Sequence, residues 1–201
     1  MSTTIKGADG KHRCSWSASA PEFDHYHDTE WGFPVGDDQR LFEKVCLEGF
    51  QSGLSWRTIL TKRENFRQAF HDFDFERVAR FKAKDVERLL QNAGIIRHRG
   101  KIEATINNAQ RACEMVRTEG SLAAFFWRYE PDPKTLGTPQ TASTSEASIR
   151  LSKDLKKLGW KFVGPTTMFA LMQAMGLIND HAEGCVIRPA VARARKTFKR
   201  P

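Results

Sequence analysis

The chain is 201 residues long, with 40% hydrophobic and 28% charged residues, which suits one folded domain with a substantial core and excludes a disordered chain. No apolar run approaches the ~20 residues that cross a bilayer, and Met1 to His12 lacks the apolar stretch of a secretory signal. The four cysteines argue for reduced thiols in a cytoplasmic protein rather than a disulfide scaffold. The net charge of +8 hints at nucleic acid, but Val186–Pro201 holds Arg188, Arg193, Arg195, Lys196, Lys199 and Arg200 and no acid, so the body is nearly balanced. That segment reads as a basic tail, either a solvated end or a phosphate-seeking arm.

In chain order, Asp37 and Asp38 can cap a helix with the apolar stripe Leu41, Phe42, Val45, Cys46 and Gly49. A second helix is expected from Trp56 to about Phe70, and short ones over Phe75–Phe81 and Lys84–Asn92. Lys101–Arg117 carries Ile102, Ile106, Ala109, Cys113 and Val116 at alternating steps of four and three, a helical stripe. Ser121–Tyr129 is another short helix. Glu130–Thr144 holds Pro131, Pro133 and Pro139 and reads as a loop. Ser143-Thr144-Ser145-Glu146 matches a capping box opening a helix that Gly159 stops. Pro165 starts a last helix, apolar all round and so buried, ending near Gly176. No alternating strand stands out, and the expectation is all-α.

Four constellations carry chemistry. Cys14 and His27 near one end, with His181 and Cys185 near the other, offer the two thiolates and two imidazoles of a tetrahedral zinc site. His12 and His25 compete as ligands, and scattered surface histidines with free thiols are the plainer reading. Cys46 and Cys113 lie on apolar stripes and read as core. Glu48 follows Val45 by three residues and Leu41 by seven, so its carboxylate sits on a buried stripe. It must be paired with a neighbouring arginine or backbone N–H groups, or line a cavity. Trp16, Tyr26, Trp31 and Trp56 either pack the core or form a slot for a planar ligand whose edge the acid reads, as a flipped nucleobase requires. In Leu158–Thr167 a capped helix, a tight turn and a new helix leave free N–H groups around Gly164 and Thr167 that can hold a phosphate.

These residues fall within a set of longer motifs. They are Arg13-Cys14-Ser15-Trp16, Tyr26-His27-Asp28-Thr29-Glu30-Trp31-Gly32, Leu47-Glu48-Gly49-Phe50-Gln51-Ser52-Gly53-Leu54-Ser55-Trp56 and Asn92–Ile102. They continue with Lys161-Phe162-Val163-Gly164 and Asn179-Asp180-His181 with Cys185. In this order the motifs resemble the DNA-3-methyladenine glycosylase I family, a zinc-containing branch of the helix-hairpin-helix glycosylases, over about Arg13 to Cys185. The resemblance implies a helical bundle with the hairpin at about 145–177; it does not account for residues 1–12, which read as a flexible extension, or for the basic tail over 186–201. It implies one structural zinc on Cys14, His27, His181 and Cys185. It implies a pocket in which Glu48 and Tyr26 read the alkylated adenine edge, with Trp56 stacking and Trp16 nearby. Gly159, Lys161, Gly164 and Thr166 would grip the backbone of double-stranded alkylated DNA.

The implied activity is monofunctional release of 3-methyladenine in base-excision repair by a monomeric enzyme. No lysine is singled out for Schiff-base chemistry, the negative charge of Glu48 is expected to favour a cationic base, and Asp180 has no assigned role. The competing reading is a non-catalytic, zinc-stapled module that binds damaged DNA; a second is a related glycosylase with another lesion preference. The pocket reading fails if Glu48 is locked in an internal ion pair with no hollow beside Trp56 and Tyr26.

Overall fold

The computed structural model describes residues 3–201. A short antiparallel hairpin, β1 (Thr4–Lys6) and β2 (His12–Cys14), pairs Thr4 with Cys14. Eleven α-helices follow among the described residues: α1 (Glu22–Thr29), α2 (Asp38–Gln51), α3 (Trp56–Thr61), α4 (Arg63–Ala69), α5 (Phe75–Val78), α6 (Ala83–Leu90), α7 (Arg99–Glu119), α8 (Leu122–Trp127), α9 (Glu146–Lys157), α10 (Pro165–Ala174) and α11 (Arg188–Thr197). The all-α expectation holds, with the hairpin as a minor addition.

The long stripes behave as their spacing requires. Asp37 caps α2 by accepting from the Arg40 N–H at 2.8 Å, and α2 buries Leu41, Phe42, Val45, Cys46 and Glu48. Cys46 is buried as core, and Cys113 is half-buried on α7. One stretch departs from expectation: Trp56–Phe70 is two helices, because the backbone leaves helical geometry at Lys62 (φ −99°, ψ 0°). The break lets α3 pack beside α1 while Phe66 of α4 packs against Phe50, ring centroids 4.6 Å apart and planes tilted by 50°.

The hairpin of α9 and α10 forms, but its cap falls two residues later than the Ser143–Glu146 box read from the sequence. Its capping box uses Ser145 and Ser148, each hydroxyl accepting the other's backbone N–H at 3.1 and 2.8 Å. Gly159 ends α9 with φ +82°, a conformation that glycine adopts without strain. The turn is clamped from α7. Asn108 donates to the Lys161 carbonyl and accepts from its N–H at 2.9 and 2.8 Å, while Asn107 donates to the Gly159 carbonyl at 2.9 Å. Pro165 opens α10, whose Met168, Phe169, Leu171 and Met172 are buried between α9 and α2.

Both ends depart from the expected organisation. Residues 4–14 form the β-hairpin instead of a loose extension. Most of the basic tail is helix α11. Val191 is fully buried, Phe198 packs on Trp127 with centroids 4.5 Å apart, Arg195 donates to the Gly176 carbonyl, and Arg195 and Arg200 both pair with Glu130. Charge reading alone misses this, because three of the features that dock the helix are one valine, one phenylalanine and an arginine spent on a carbonyl. No helix among the described residues is long and apolar enough to cross a membrane.

Candidate active site and metal centre

The candidate metal centre joins three parts of the chain distant in sequence. β2 supplies Cys14, α1 supplies His27, and the segment after α10 supplies His181 and Cys185; all four are buried, with ligand atoms within 4.8 Å of one another. Cys14 Sγ lies 3.5 Å from His181 Nδ1, and Cys185 Sγ lies 3.6 Å from both His181 Nδ1 and His27 Nε2. A tetrahedron with sulfur at ~2.3 Å and nitrogen at ~2.0–2.1 Å has sulfur–nitrogen edges of about 3.6 Å. The donor set and its spacing therefore fit a tetrahedral cation.

The outer ring nitrogens are held as such a site needs. His27 Nδ1 is 2.7 Å from Asp28 Oδ1, and His181 Nε2 is 2.9 Å from the Trp31 carbonyl. Each must carry its proton to make that bond, which leaves a lone pair on the inner nitrogen facing the centre. Arg13 in turn holds Asp28, donating at 2.8 Å. Hydrogen bonding from Cys14 keeps Cys185 on the thiolate side and pushes Cys14 up, so a bound cation would replace the proton the two sulfurs share. Gly32 is packed against this centre: at φ +87°, a Cβ there would meet the His181 ring at 3.1 Å. His12 and His25 are exposed and stand outside the cluster.

The same elements build a cavity. α1 carries Tyr26 one residue before His27, and α2 carries Glu48. The loop after α2 turns back so that α3 presents Trp56. Lys101 of α7 anchors that loop, donating to the Phe50 and Ser52 carbonyls at 2.8 and 2.6 Å. The result is a hollow of about 380 Å³ walled by Trp16, Tyr26, Trp31 and Trp56, with Glu48 and Gln51 on the α2 side and Gln140, Ala142, Ala170 and Gln173 opposite. Its size lies within the ~300–1,000 Å³ range of small-molecule sites. Tyr26 and Trp56 rings are 5.5 Å apart and tilted by 43°, and Trp16 meets Trp31 edge-on at 5.1 Å. The Trp56 indole N–H is buried without a protein partner.

Glu48 answers both halves of the condition set by the sequence. It is in an internal ion pair, with Lys44 Nζ 2.7 Å from Oε1 and both side chains about 5% exposed. The hollow is nevertheless there, and Glu48 lines it. The partner is a lysine one turn earlier on the same helix, not the arginine or backbone group anticipated. Lys44 also donates to the Tyr26 hydroxyl at 2.9 Å and sits 3.4 Å from the Trp56 ring centroid. Burial pulls the Lys44 ammonium below its ordinary range, and the Glu48 carboxylate opposes that shift. Burial, with the charges of Glu48 and Glu30 nearby, lifts the Tyr26 phenol well above its usual range, so its O–H stays intact.

Asp180 does not face the cavity as a free base. Its oxygens accept from the Gln140 N–H at 3.1 Å and from Gln173 Nε2 at 2.6 Å, which fixes two glutamines that line the hollow. At the hairpin, Lys161 and Thr166 are exposed and Gly164 is half-buried at the start of α10. The first-turn N–H groups of Thr166 and Thr167 have no intrahelical acceptor. A larger cavity of about 600 Å³ lies between residues 133–139 and α11. It has no aromatic wall, and its two arginines are spent on the carbonyls of Asn179, His181 and Gly176, so it is a poor base pocket.

Sequence reasoning missed Lys44, Gln51, Gln140 and Gln173. Lys44 and Gln51 could have been found, since they stand four before and three after Glu48 on one helix face. Gln140 and Gln173 could not, because the loop and α10 reach the hollow only through the tertiary fold.

The profile of the methyladenine glycosylase family matches residues 16–188. DNA-3-methyladenine glycosylase 1 of Escherichia coli (strain K12) is 49% identical over 181 residues, covering 88% of this chain and 97% of that protein. A crystal structure of a 3-methyladenine DNA glycosylase I superposes with TM-score 0.82 at 49% identity, covering 87% of this chain and 98% of that one. The 3-methyladenine DNA glycosylase I of Staphylococcus aureus, whose structure addresses 3-methyladenine recognition, superposes with TM-score 0.83 at 38% identity over 88% of this chain and 96% of that one.

Proposed function

The chain belongs to the methyladenine glycosylase family and is a DNA-3-methyladenine glycosylase of base-excision repair; from that premise we propose how its residues release the base. The aromatic hollow receives a 3-methyladenine flipped from double-stranded alkylated DNA. Trp56 stacks on the ring and Trp16 closes the far wall. Glu48 accepts from the exocyclic amino group through the carboxylate oxygen not bonded to Lys44. The Tyr26 oxygen is taken by Lys44, so its O–H is free to donate to a ring nitrogen.

Most of the driving force lies in the substrate. Methylation at N3 makes the base cationic, so it departs as a neutral molecule carrying the bonding electron pair. Water adds its oxygen to the sugar carbon and loses a proton to solvent. The protein must extrude the nucleotide, at a few kcal/mol for unstacking, and hold the base while the bond breaks. The two buried lysines near the hollow are occupied, Lys101 by carbonyls and Lys44 by Glu48 and Tyr26. Among the described residues, no free amine lines the hollow, which supports a monofunctional enzyme that leaves the strand intact.

Cys14, His27, His181 and Cys185 would hold zinc, whose two soft sulfurs and two imidazole nitrogens are the donors it prefers. Zinc there supplies a cross-link between the chain's two ends. With four protein ligands there is no position for a reacting water. Gly159, Lys161, Gly164 and Thr166 would take DNA backbone phosphate, and the protein acts as a cytoplasmic monomer.

The observation that carries the reading is a buried carboxylate on the wall of an aromatic hollow. The test is incubation with methylated duplex DNA, with chromatography of the released base and a gel for strand integrity. Free 3-methyladenine with an unbroken strand is expected, together with a loss of at least about tenfold in Glu48→Gln. Tight binding to methylated DNA without base release would instead establish the non-catalytic module.

A further inference from the structure

All of α11 but its first residue, Arg188, lies beyond the part of the chain that the family profile matches. Its place in the fold separates its basic charge from the damaged base. Phe198 closes on Gly36, where a Cβ would meet its ring at 3.1 Å, just before α2 begins. Glu48 and Gln51 line the hollow at the other end of α2, and the 14 residues of α2 span about 20 Å. Arg195 holds the carbonyl of Gly176, past the last residue of α10, whereas the hairpin turn precedes the first. α11 thus docks at the ends of both helices that are remote from the hollow and the hairpin.

What α11 grips instead is the segment carrying two of the four metal ligands. Arg188 Nη1 donates to the carbonyls of Asn179, at 3.2 Å, and of His181. The Arg188 backbone N–H donates to the Cys185 carbonyl at 3.2 Å, and its carbonyl accepts from Asn179 Nδ2 at 3.1 Å. Residues 179–188 are closed into a ring that contains both His181 and Cys185. One turn further on, the fully buried Val191 meets the point beside Gly32 that the His181 ring also meets, at 3.6 and 3.1 Å from where a Cβ would stand. We infer that α11 is a latch on the metal centre and that Arg188 is a positioning residue in it, holding the His181 and Cys185 segment shut and so setting how slowly the bound cation escapes, a role that rests on the metal reading above.

A chelated cation leaves when one ligand detaches and swings away before it can rebind. Cys14 is tied into the β1–β2 pairing and His27 is held on α1 by Asp28. Residues 179–185 belong to no helix or strand, so this is the segment able to swing. Such segments open locally at a lower cost than unfolding the whole chain. Arg188 opposes the opening with hydrogen bonds from a charged donor, which are stronger than neutral ones. The helix that carries it is fixed at its far end by Phe198 on Trp127 and by Arg195 and Arg200 on Glu130. Arg188 therefore stays in place as long as α11 stays docked.

The experiment loads the full chain with zinc, removes the excess by gel filtration and mixes the protein with a large excess of a chromophoric chelator under native conditions. The rate of colour development reads zinc release. Arg188→Gln is expected to release zinc at least about tenfold faster than the wild type, the scale of losing hydrogen bonds from a charged donor. Arg188→Lys keeps the charge but not the planar head, and should accelerate release by a smaller factor. Leu155→Ala opens a cavity at a fully buried position of α9 and should lower Tm at least as far while releasing zinc at the wild-type rate. A merely structural role would move release only in step with Tm. Equal acceleration in Arg188→Gln and Leu155→Ala, or wild-type release from Arg188→Gln, overturns the inference.

If neither Arg188 variant folds, Phe198→Ala leaves Arg188 intact and loosens only the far end of α11. It should still release zinc several-fold faster than Leu155→Ala, and equal rates in those two overturn the latch. Failure of the metal reading looks different, because the wild type would then take up no zinc at all, and the latch falls with it. Zinc held by the wild type and all variants with one common release rate removes the latch alone.

Discussion

Replacing Cys185 by serine removes one of four ligands while changing little else in shape. Serine does not ionise in this range, so the cluster loses the thiolate facing His27 and His181 at 3.6 Å. The remaining three ligands come from β2, α1 and the segment after α10, with Cys14 and His181 separated by 167 positions. A cross-link closing a loop of more than 100 residues restricts the unfolded chain by up to about 5 kcal/mol on the entropy model. The helical core stays packed without it, so a net loss of about 2–4 kcal/mol is expected. For a chain of this size each kcal/mol moves Tm by ~2–4 °C, which predicts a fall of about 5–15 °C. The assay pairs metal analysis by mass spectrometry on gel-filtered protein with calorimetric melting. The wild type should carry close to one zinc per chain, Cys185→Ser much less, and any residual excision should remain specific for 3-methyladenine. A wild-type protein stripped of metal that melts where the loaded protein does would refute the cross-link.

Three further outcomes follow from the geometry. Burial disfavours ionised Glu30, but the paired hydrogen bonds and charge of Arg63 at 2.6 and 2.9 Å outweigh it and hold the carboxyl below its usual range. The stability from this pair is therefore complete above the unfolded value of about 4.3 and is lost as pH falls below it through the lowered native value; Glu30→Gln should flatten that acid limb in urea titrations at stepped pH. Gly32→Ala forces a side chain to φ +87° with its Cβ 3.1 Å from the His181 ring, and should cost about 1–3 kcal/mol of stability, read as a lower Tm with loss of bound metal. Phe198→Ala strips α11 of its packing on Trp127 and should destabilise by about 1–3 kcal/mol in chemical denaturation, whereas a solvated tail would leave the midpoint where it was.

The long helices were legible because burial repeats over many turns. α2 and α7 have stripes of five residues, and Asp37 caps α2 as its position suggested. α1 was not legible, since over eight residues its inward face is Phe23, Tyr26 and His27, two of them polar groups that serve the site. α11 hid for the opposite reason: its stripe is a single buried valine among arginines. The hairpin was readable from Gly159 and Pro165, but the asparagines of α7 that clamp it were not, because only the tertiary fold brings Asn107 and Asn108 to the turn.

The metal set shows the same division. The family resemblance named the four ligands, which spacing alone left as scattered histidines and free thiols, while Asp28 and the Trp31 carbonyl, which orient the two imidazoles, emerged only with the fold. Glu48 was recognised by its place on an apolar face. Its companion Lys44 went unread, although lysine four residues before an acid on a buried stripe is itself a pairing signal.

The account turns on whether the hollow at Glu48 is where the damaged base rests. Three of its four aromatic walls are tryptophans, so titration with free 3-methyladenine can be followed by their fluorescence. Saturable quenching is predicted for the wild type, with affinity at least about tenfold weaker in Glu48→Gln at an unchanged fold. Equal affinity in the two proteins would place the base elsewhere and contradict the account.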